Sequence, residues 1–217
     1  MFKEVRESLY NKNDKNQLNI FLNAVIVIVI FVLAVEICFM INFSGVYVVG
    51  NSMNPTLIGA DSEDEIGGDY IYVNKRVEPD YGDIVVVYHE RNGYLIKRAV
   101  AFGGDRVKIV EGQLYIKYKG TSQFELVEED YIIPEHNDAD NPNNTFPKDD
   151  EGYLVQEGHF FLLGDNRNES YDSRKLGSLP IKNLDGVVTD WSFEHKSFCT
   201  SFHNFFKFKL PAFFGLK

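Results

Sequence analysis

Residues 18–43 constrain this chain more than any other stretch, because they are apolar almost throughout. Only Asn19, Asn23, Glu36 and Asn42 interrupt the run, and residues 24–35 include no polar side chain. About 20 apolar residues suffice to cross a bilayer, so a transmembrane helix is expected over 18–43. A cleavable signal peptide is the alternative. The apolar stretch exceeds the length of such a peptide's core, and no small-x-small site follows it. Residues 1–17 set Lys3, Arg6, Lys12 and Lys15 against Glu4, Glu7 and Asp14. Basic residues orient a span while acids count little, so this segment is expected to be cytoplasmic and the rest of the chain extracytoplasmic. Glu36 falls near the outer end of the span, within reach of the interface.

Past residue 46 the pattern changes. Short runs rich in Val, Ile and Tyr, at 70–73, 84–88, 94–100, 106–110, 113–118, 159–163 and 186–192, alternate with Gly, Asp, Asn and Pro. That is strand spacing, and Val110-Glu111-Gly112-Gln113 reads as a tight hairpin turn. The expected fold is mainly β: an antiparallel β-sheet domain over 44–195 behind one N-terminal transmembrane helix. Two acidic loops interrupt it, at 61–65 and at about 128–151, and the longer one reads as a solvated insertion. Residues 196–217 form a tail without acids. Phe198, Phe202, Phe205, Phe206, Phe208, Phe213 and Phe214 are interleaved there with Lys196, Lys207, Lys209 and Lys217. On a helix, Phe198, Phe202, Phe205 and Phe206 share a face, with Pro211 as a stop. Such a tail either packs on the domain or lies at a lipid interface.

Composition narrows the function. The net charge of −10 leaves no basic footprint for nucleic acid. Two cysteines, Cys38 inside the apolar run and Cys199, make neither a disulfide framework nor a zinc site. No cofactor and no metal is expected.

Ser52 lies nine residues after Phe43, in Gly50-Asn51-Ser52-Met53-Asn54-Pro55-Thr56-Leu57. A tether of that length spans at most roughly 30 Å, which holds the hydroxyl beside a membrane. A serine between glycine and proline is by itself only a turn. As a nucleophile it needs a base, and His89, His136, His159, His195 and His203 stand in no triad-like setting. A lysine can serve if burial lowers its pKa. Lys97, between Leu95-Ile96 and Ala99-Val100, has apolar surroundings, although an edge-strand lysine reaching for solvent would look the same.

Three stretches together resemble the type I signal peptidase family of membrane-bound Ser-Lys proteases. Residues 50–57 are similar to its nucleophile box. Tyr81-Gly82-Asp83-Ile84-Val85 is similar to its Gly-Asp-hydrophobic strand, and Lys97-Arg98 with Gly103-Gly104-Asp105 resembles its base box, with Gly103 where the family has proline. Gly164-Asp165-Asn166-Arg167 with Ser170, Asp172, Ser173 and Arg174 resembles its last box. The resemblance implies Ser52 as nucleophile, Lys97 as general base and Ser170 as a hydrogen-bonding partner of the Lys97 amine. It implies structural ion pairs among Arg98, Asp165, Asp172 and Arg174, and a substrate cleft shaped by Met53 and Pro55. The Ser52 N–H would hold the oxyanion. Some members add a serine two residues before the nucleophile, where this chain has Gly50. The implied substrates are secretory precursors with small residues at −1 and −3, and membrane lipid is the other implied partner. The alternatives are a non-catalytic membrane-tethered β-domain that binds a protein, and a Ser-Lys self-cleaving repressor. The membrane span and the lack of a DNA-reading helix pair count against the repressor.

Overall fold

The computed structural model describes residues 2–147 and 149–209. It divides into two compact units, residues 1–42 and 43–217. The first is one helix, α1 (Phe2–Asn42). Its stretch Asn16–Asn42 is long and apolar enough to cross a membrane. At 1.5 Å per residue it reaches about 40 Å, more than the roughly 30 Å hydrocarbon layer requires. The polar first residues belong to the same helix. Lys, Glu, Arg and Leu are good helix formers and extend it without a break.

The second unit is built on strands. Its larger sheet takes β1 (Phe43–Tyr47), β2 (Tyr70–Asn74), β3 (Ile84–His89) and β4 (Gly93–Phe102) from the first half. β5 (Arg106–Val110), β6 (Gln113–Lys117), β7 (Glu125–Leu126) and β8 (Tyr153–Leu154) form a separate sheet. β9 (His159–Leu163), β10 (Leu179–Pro180) and β11 (Leu184–Val188) return to the first. The orders are β1-β2-β11-β3-β4-β9-β10 and β7-β6-β5-β8, and every strand pair is antiparallel. The β5–β6 turn has positive φ at both Glu111 and Gly112. That is the primed turn whose twist matches a two-residue hairpin.

β9 shows why its sequence is apolar without alternation. Phe161 and Leu163 enter a core shared with Val107, Ile109, Leu114 and Ile116 of the small sheet. Phe160 and Leu162 enter a second core with Val85, Val87 and Val187. Successive side chains point to opposite faces, and here both faces are covered. A third core of Val48, Met53, Leu57, Ile71 and Ile84 sits beneath the turn that carries Ser52.

Two boundaries differ from the sequence reading. Phe43 is the first residue of β1 rather than the last of the span, and β1 itself gave no separate strand signal. The strand expected over 186–192 stops at Val188 and gives way to α3 (Asp190–Glu194). There the Thr189 carbonyl accepts from the N–H groups of Ser192 and Phe193, and the Thr189 hydroxyl donates to Ser192 Oγ. Short polar side chains bonding locally favour a helical turn over a ladder. α4 (Lys196–Asn204) continues into wider helical turns over Phe205–Lys209. Phe213, Phe214, Pro211 and Lys217 lie outside the described residues.

Candidate active site

β1 runs directly into the turn bearing Ser52. The Val48 N–H donates to the Asp69 carbonyl and the Gly50 N–H to that of Ala60, at 2.9 and 2.8 Å. Gly50 has φ +81°, a conformation glycine adopts at little cost. The chain then closes a helical turn, Leu57 N–H to Met53 carbonyl at 3.0 Å, which drives Met53 and Leu57 into the core below. Met53 is 1% exposed. Pro55 is exposed.

The other wall is the loop after β9. The Asn166 N–H donates to the Ser52 carbonyl at 3.0 Å, and Asn166 Nδ2 to that of Asn51 at 3.2 Å. A Cβ on Gly164 would come within 2.4 Å of the Ser52 carbonyl oxygen and 2.3 Å of Ser170 Oγ. Glycine is what lets the loop close on the turn. Among the described residues nothing accepts from the Ser52 N–H.

Lys97 lies on β4 opposite Val85 of β3. Residues 97–101 are all buried, so this strand has no wet face for the amine to seek. Lys97 is 4% exposed. Its Nζ lies 2.6 Å from Ser52 Oγ and donates to the Ile96 carbonyl at 2.8 Å. Burial pushes its pKa down from 10.5 to about 8, against the opposing pull of the Asp172 and Asp165 carboxylates, with Arg174 adding a smaller push in the same direction as burial.

Two buried ion pairs flank the amine. Arg98 grips Asp165 through Nε and Nη2 at 2.9 and 2.6 Å, and donates from Nη1 to the Gly82 carbonyl. Arg174 grips Asp172 through Nε and Nη2, both at 2.9 Å. Burial works to raise the Asp172 pKa, but Arg174 outweighs it and the carboxyl stays below its usual range. Bidentate geometry of this kind is both strong and directional.

Ser170 does not make the bond expected from its resemblance. Its buried hydroxyl meets no full hydrogen-bond geometry and faces the Asp172 carboxylate instead, whose pKa it helps to lower. Its side chain packs over Gly164, while the described partners of the Lys97 amine are Ser52 and the Ile96 carbonyl. At Gly103, where the family has proline, a Cβ would come within 2.8 Å of Glu157 Cα and 2.9 Å of the Gln156 carbonyl oxygen. Two backbones meet too closely there for any side chain.

The sequence reading missed the contribution of the acidic segment after Glu128, which is not uniformly solvated. Glu129 accepts from both Nη atoms of the buried Arg167 and from the Tyr131 hydroxyl. Arg167 Nε in turn donates to the Gly164 carbonyl at 3.0 Å. The Tyr131 ring lies 3.7 Å from the Arg98 guanidinium, and Asn144 accepts from Arg174 at 2.7 Å. The acids around Glu129 concealed it. The apolar trio Tyr131-Ile132-Ile133 beside it was the available signal, since a solvated loop has no use for it.

The profile of the family described as "Signal peptidase, peptidase S26" matches residues 21–191. The chain is 32% identical over 181 residues to a signal peptidase I of Bacillus licheniformis, covering 81% of this chain and 88% of that protein. It is 28% identical over 187 residues to signal peptidase I P of Bacillus subtilis subsp. natto, covering 82% and 92%. A crystal structure of a signal peptidase I from Enterococcus faecalis V583 aligns with 29% identity over 52% of this chain and 98% of that one, at a TM-score of 0.42. A mostly antiparallel β unit behind an apolar helix is thus joined to a peptidase sequence profile. This chain belongs to the signal peptidase family, peptidase S26.

Proposed function

We propose that this chain is a membrane-anchored serine endopeptidase that removes signal peptides from secretory precursors at the outer face of the membrane, with Ser52 as nucleophile and neutral Lys97 as general base. The observation that carries this reading is the 2.6 Å approach of a buried amine to the Ser52 hydroxyl. Burial favours the uncharged amine, and an uncharged amine has the lone pair a base needs. Ser52 Oγ attacks the scissile carbonyl carbon while its proton passes to Lys97 Nζ. The tetrahedral adduct collapses, the C–N bond breaks, and Lys97 returns the proton to the departing amine. Water then releases the acyl group by the same route. The unbonded Ser52 N–H is available to the oxyanion, a donor typically worth about 3 kcal/mol.

The substrate preference, small side chains at −1 and −3, rests on the family. Extended substrate would add to an exposed strand edge. Arg98–Asp165 and Arg174–Asp172 hold the frame and move no proton. Ser52→Ala and Lys97→Ala are each expected to abolish cleavage of a labelled precursor while the circular dichroism spectrum is unchanged. Full activity in either folded variant removes the assignment and leaves a tethered binding domain as the better reading.

A further inference from the structure

From residue 196 on, the chain carries four lysines and no acid, although its net charge is −10. α4 docks by its polar side. Thr200 Oγ1 accepts from the Tyr70 N–H at 2.7 Å, and the His203 ring stacks on Tyr70 with centroids 4.0 Å apart. Lys196 Nζ donates to the Thr56 carbonyl at 2.6 Å and pairs with Asp69 at 3.2 Å. The apolar side is left outward. Phe198, Phe202, Phe205 and Phe206 are 70, 52, 48 and 49% exposed. Their rings form one ridge, with centroids 6.2 Å apart for 198–202, 4.7 Å for 202–206 and 5.3 Å for 205–206. A helix serving only the domain's own core would present the opposite face to solvent.

We propose that this ridge is a membrane-interface element, with the four rings at the acyl boundary of an anionic bilayer and Lys209 beside the headgroups. Charge decides between occupants. A second copy docking by the same ridge would bring one acid-free, lysine-bearing segment against another, whereas that segment complements anionic lipid. Chain connectivity agrees. α4 and the turns after it pack on Tyr47, which stacks on His203 and lies under Lys207 Nζ. Tyr47 is five residues past Asn42, at most about 17 Å of chain from the helix suited to span a membrane. The ridge has a further consequence, which rests on the proposed function. Because Lys196 bonds Thr56, in the same turn as Ser52, a ridge seated in lipid fixes the height of the nucleophile above the bilayer.

The test uses the full chain in vesicles of phosphatidylglycerol and phosphatidylethanolamine, with and without brominated acyl chains. Trp191→Phe removes the single tryptophan, and Phe202→Trp places a reporter on the ridge. Bromination is expected to reduce its emission about twofold, as for a ring buried in the headgroup–acyl boundary. Unchanged emission overturns the proposal. In a second arm, Phe198, Phe202, Phe205 and Phe206 are all changed to Ser. Cleavage of a soluble peptide should stay within about twofold of the parent, while cleavage of a membrane-embedded precursor falls about tenfold. Equal loss on both substrates, or loss on neither, overturns the height-setting role. Quenching reports the ridge whether or not the chain is a protease, so the two readings fail separately.

Discussion

A lysine buried against its charge is a cost to the fold, and the sign of that cost is testable. The Lys97 pKa falls from 10.5 in the unfolded chain to about 8 in the folded one. Below pH 8 both states carry the proton, and the folded state bears the full penalty. Between 8 and 10.5 the unfolded state binds more protons, so stability rises with pH and the penalty fades. At 1.36 kcal/mol for each pKa unit the penalty is about 3 kcal/mol, less the hydrogen bonds the amine makes. Lys97→Met is therefore expected to stabilise the protein at pH 7 by about 1–3 kcal/mol, an advantage that shrinks through pH 8–10.5. Urea unfolding at pH 7 and pH 10 measures it. A destabilised variant at pH 7, or the same advantage at both pH values, would show that Lys97 is not buried against its charge. The residue types of this site were readable from the sequence because Ser52 and Lys97 sit in boxes with fixed spacing. The burial of Met53 was not readable there, because the box says nothing about which side of the turn faces the core.

At the scale of elements, the site is a turn after β1 pressed against a loop after β9, with β4 between them in function. Gly164 is the point of closest approach. Gly164→Ala forces apart the Ser52 carbonyl and Ser170, and overpacking of this kind costs about 1–3 kcal/mol. Precursor cleavage should fall further than stability does, because the strain lands on the turn that carries Ser52. Retention of parental kcat would show that the loop does not position Ser52. Glu129 makes the parallel case for the acidic segment. Glu129→Gln leaves the buried Arg167 charge without its carboxylate, and breaking such a pair costs about 3–5 kcal/mol. A loss under 0.5 kcal/mol in urea unfolding would return the segment to a solvated insertion. No local pattern distinguishes Glu129 from Glu128 or Asp130 in the sequence. Its burial follows from Arg167, 38 residues away, and the apolar residues 131–133 mark the segment without saying which acid turns inward. The strands were legible for the opposite reason, since period and turn chemistry are local. The last strand was overrun into α3 because Trp191 suits either state.

For the whole molecule, the division at residue 42 separates a helix that needs lipid from a unit that closes its own sheets. Among the described residues, all eleven strands and the three cores lie beyond residue 42. A fragment of those residues in mild detergent is expected to unfold within about 5 °C of the full chain and to cleave a soluble peptide. A precursor embedded in vesicles should be cleaved far more slowly, since the fragment has lost its tether. A fragment without a cooperative transition would contradict the independence of that unit. The apolar run announced the anchor on its own. The outward ridge of α4 did not announce itself, because a Phe-rich helix reads the same whether its rings face a core or a bilayer.

The central claim is that the base for Ser52 is an amine whose pKa burial has lowered. The pH dependence of kcat/KM for precursor cleavage by the full chain in vesicles tests it most directly. The account predicts a rise of tenfold for each pH unit that levels off at about pH 8. A limb centred near 6.5, as for a histidine, or one still rising past pH 10, as for an exposed lysine, would contradict it.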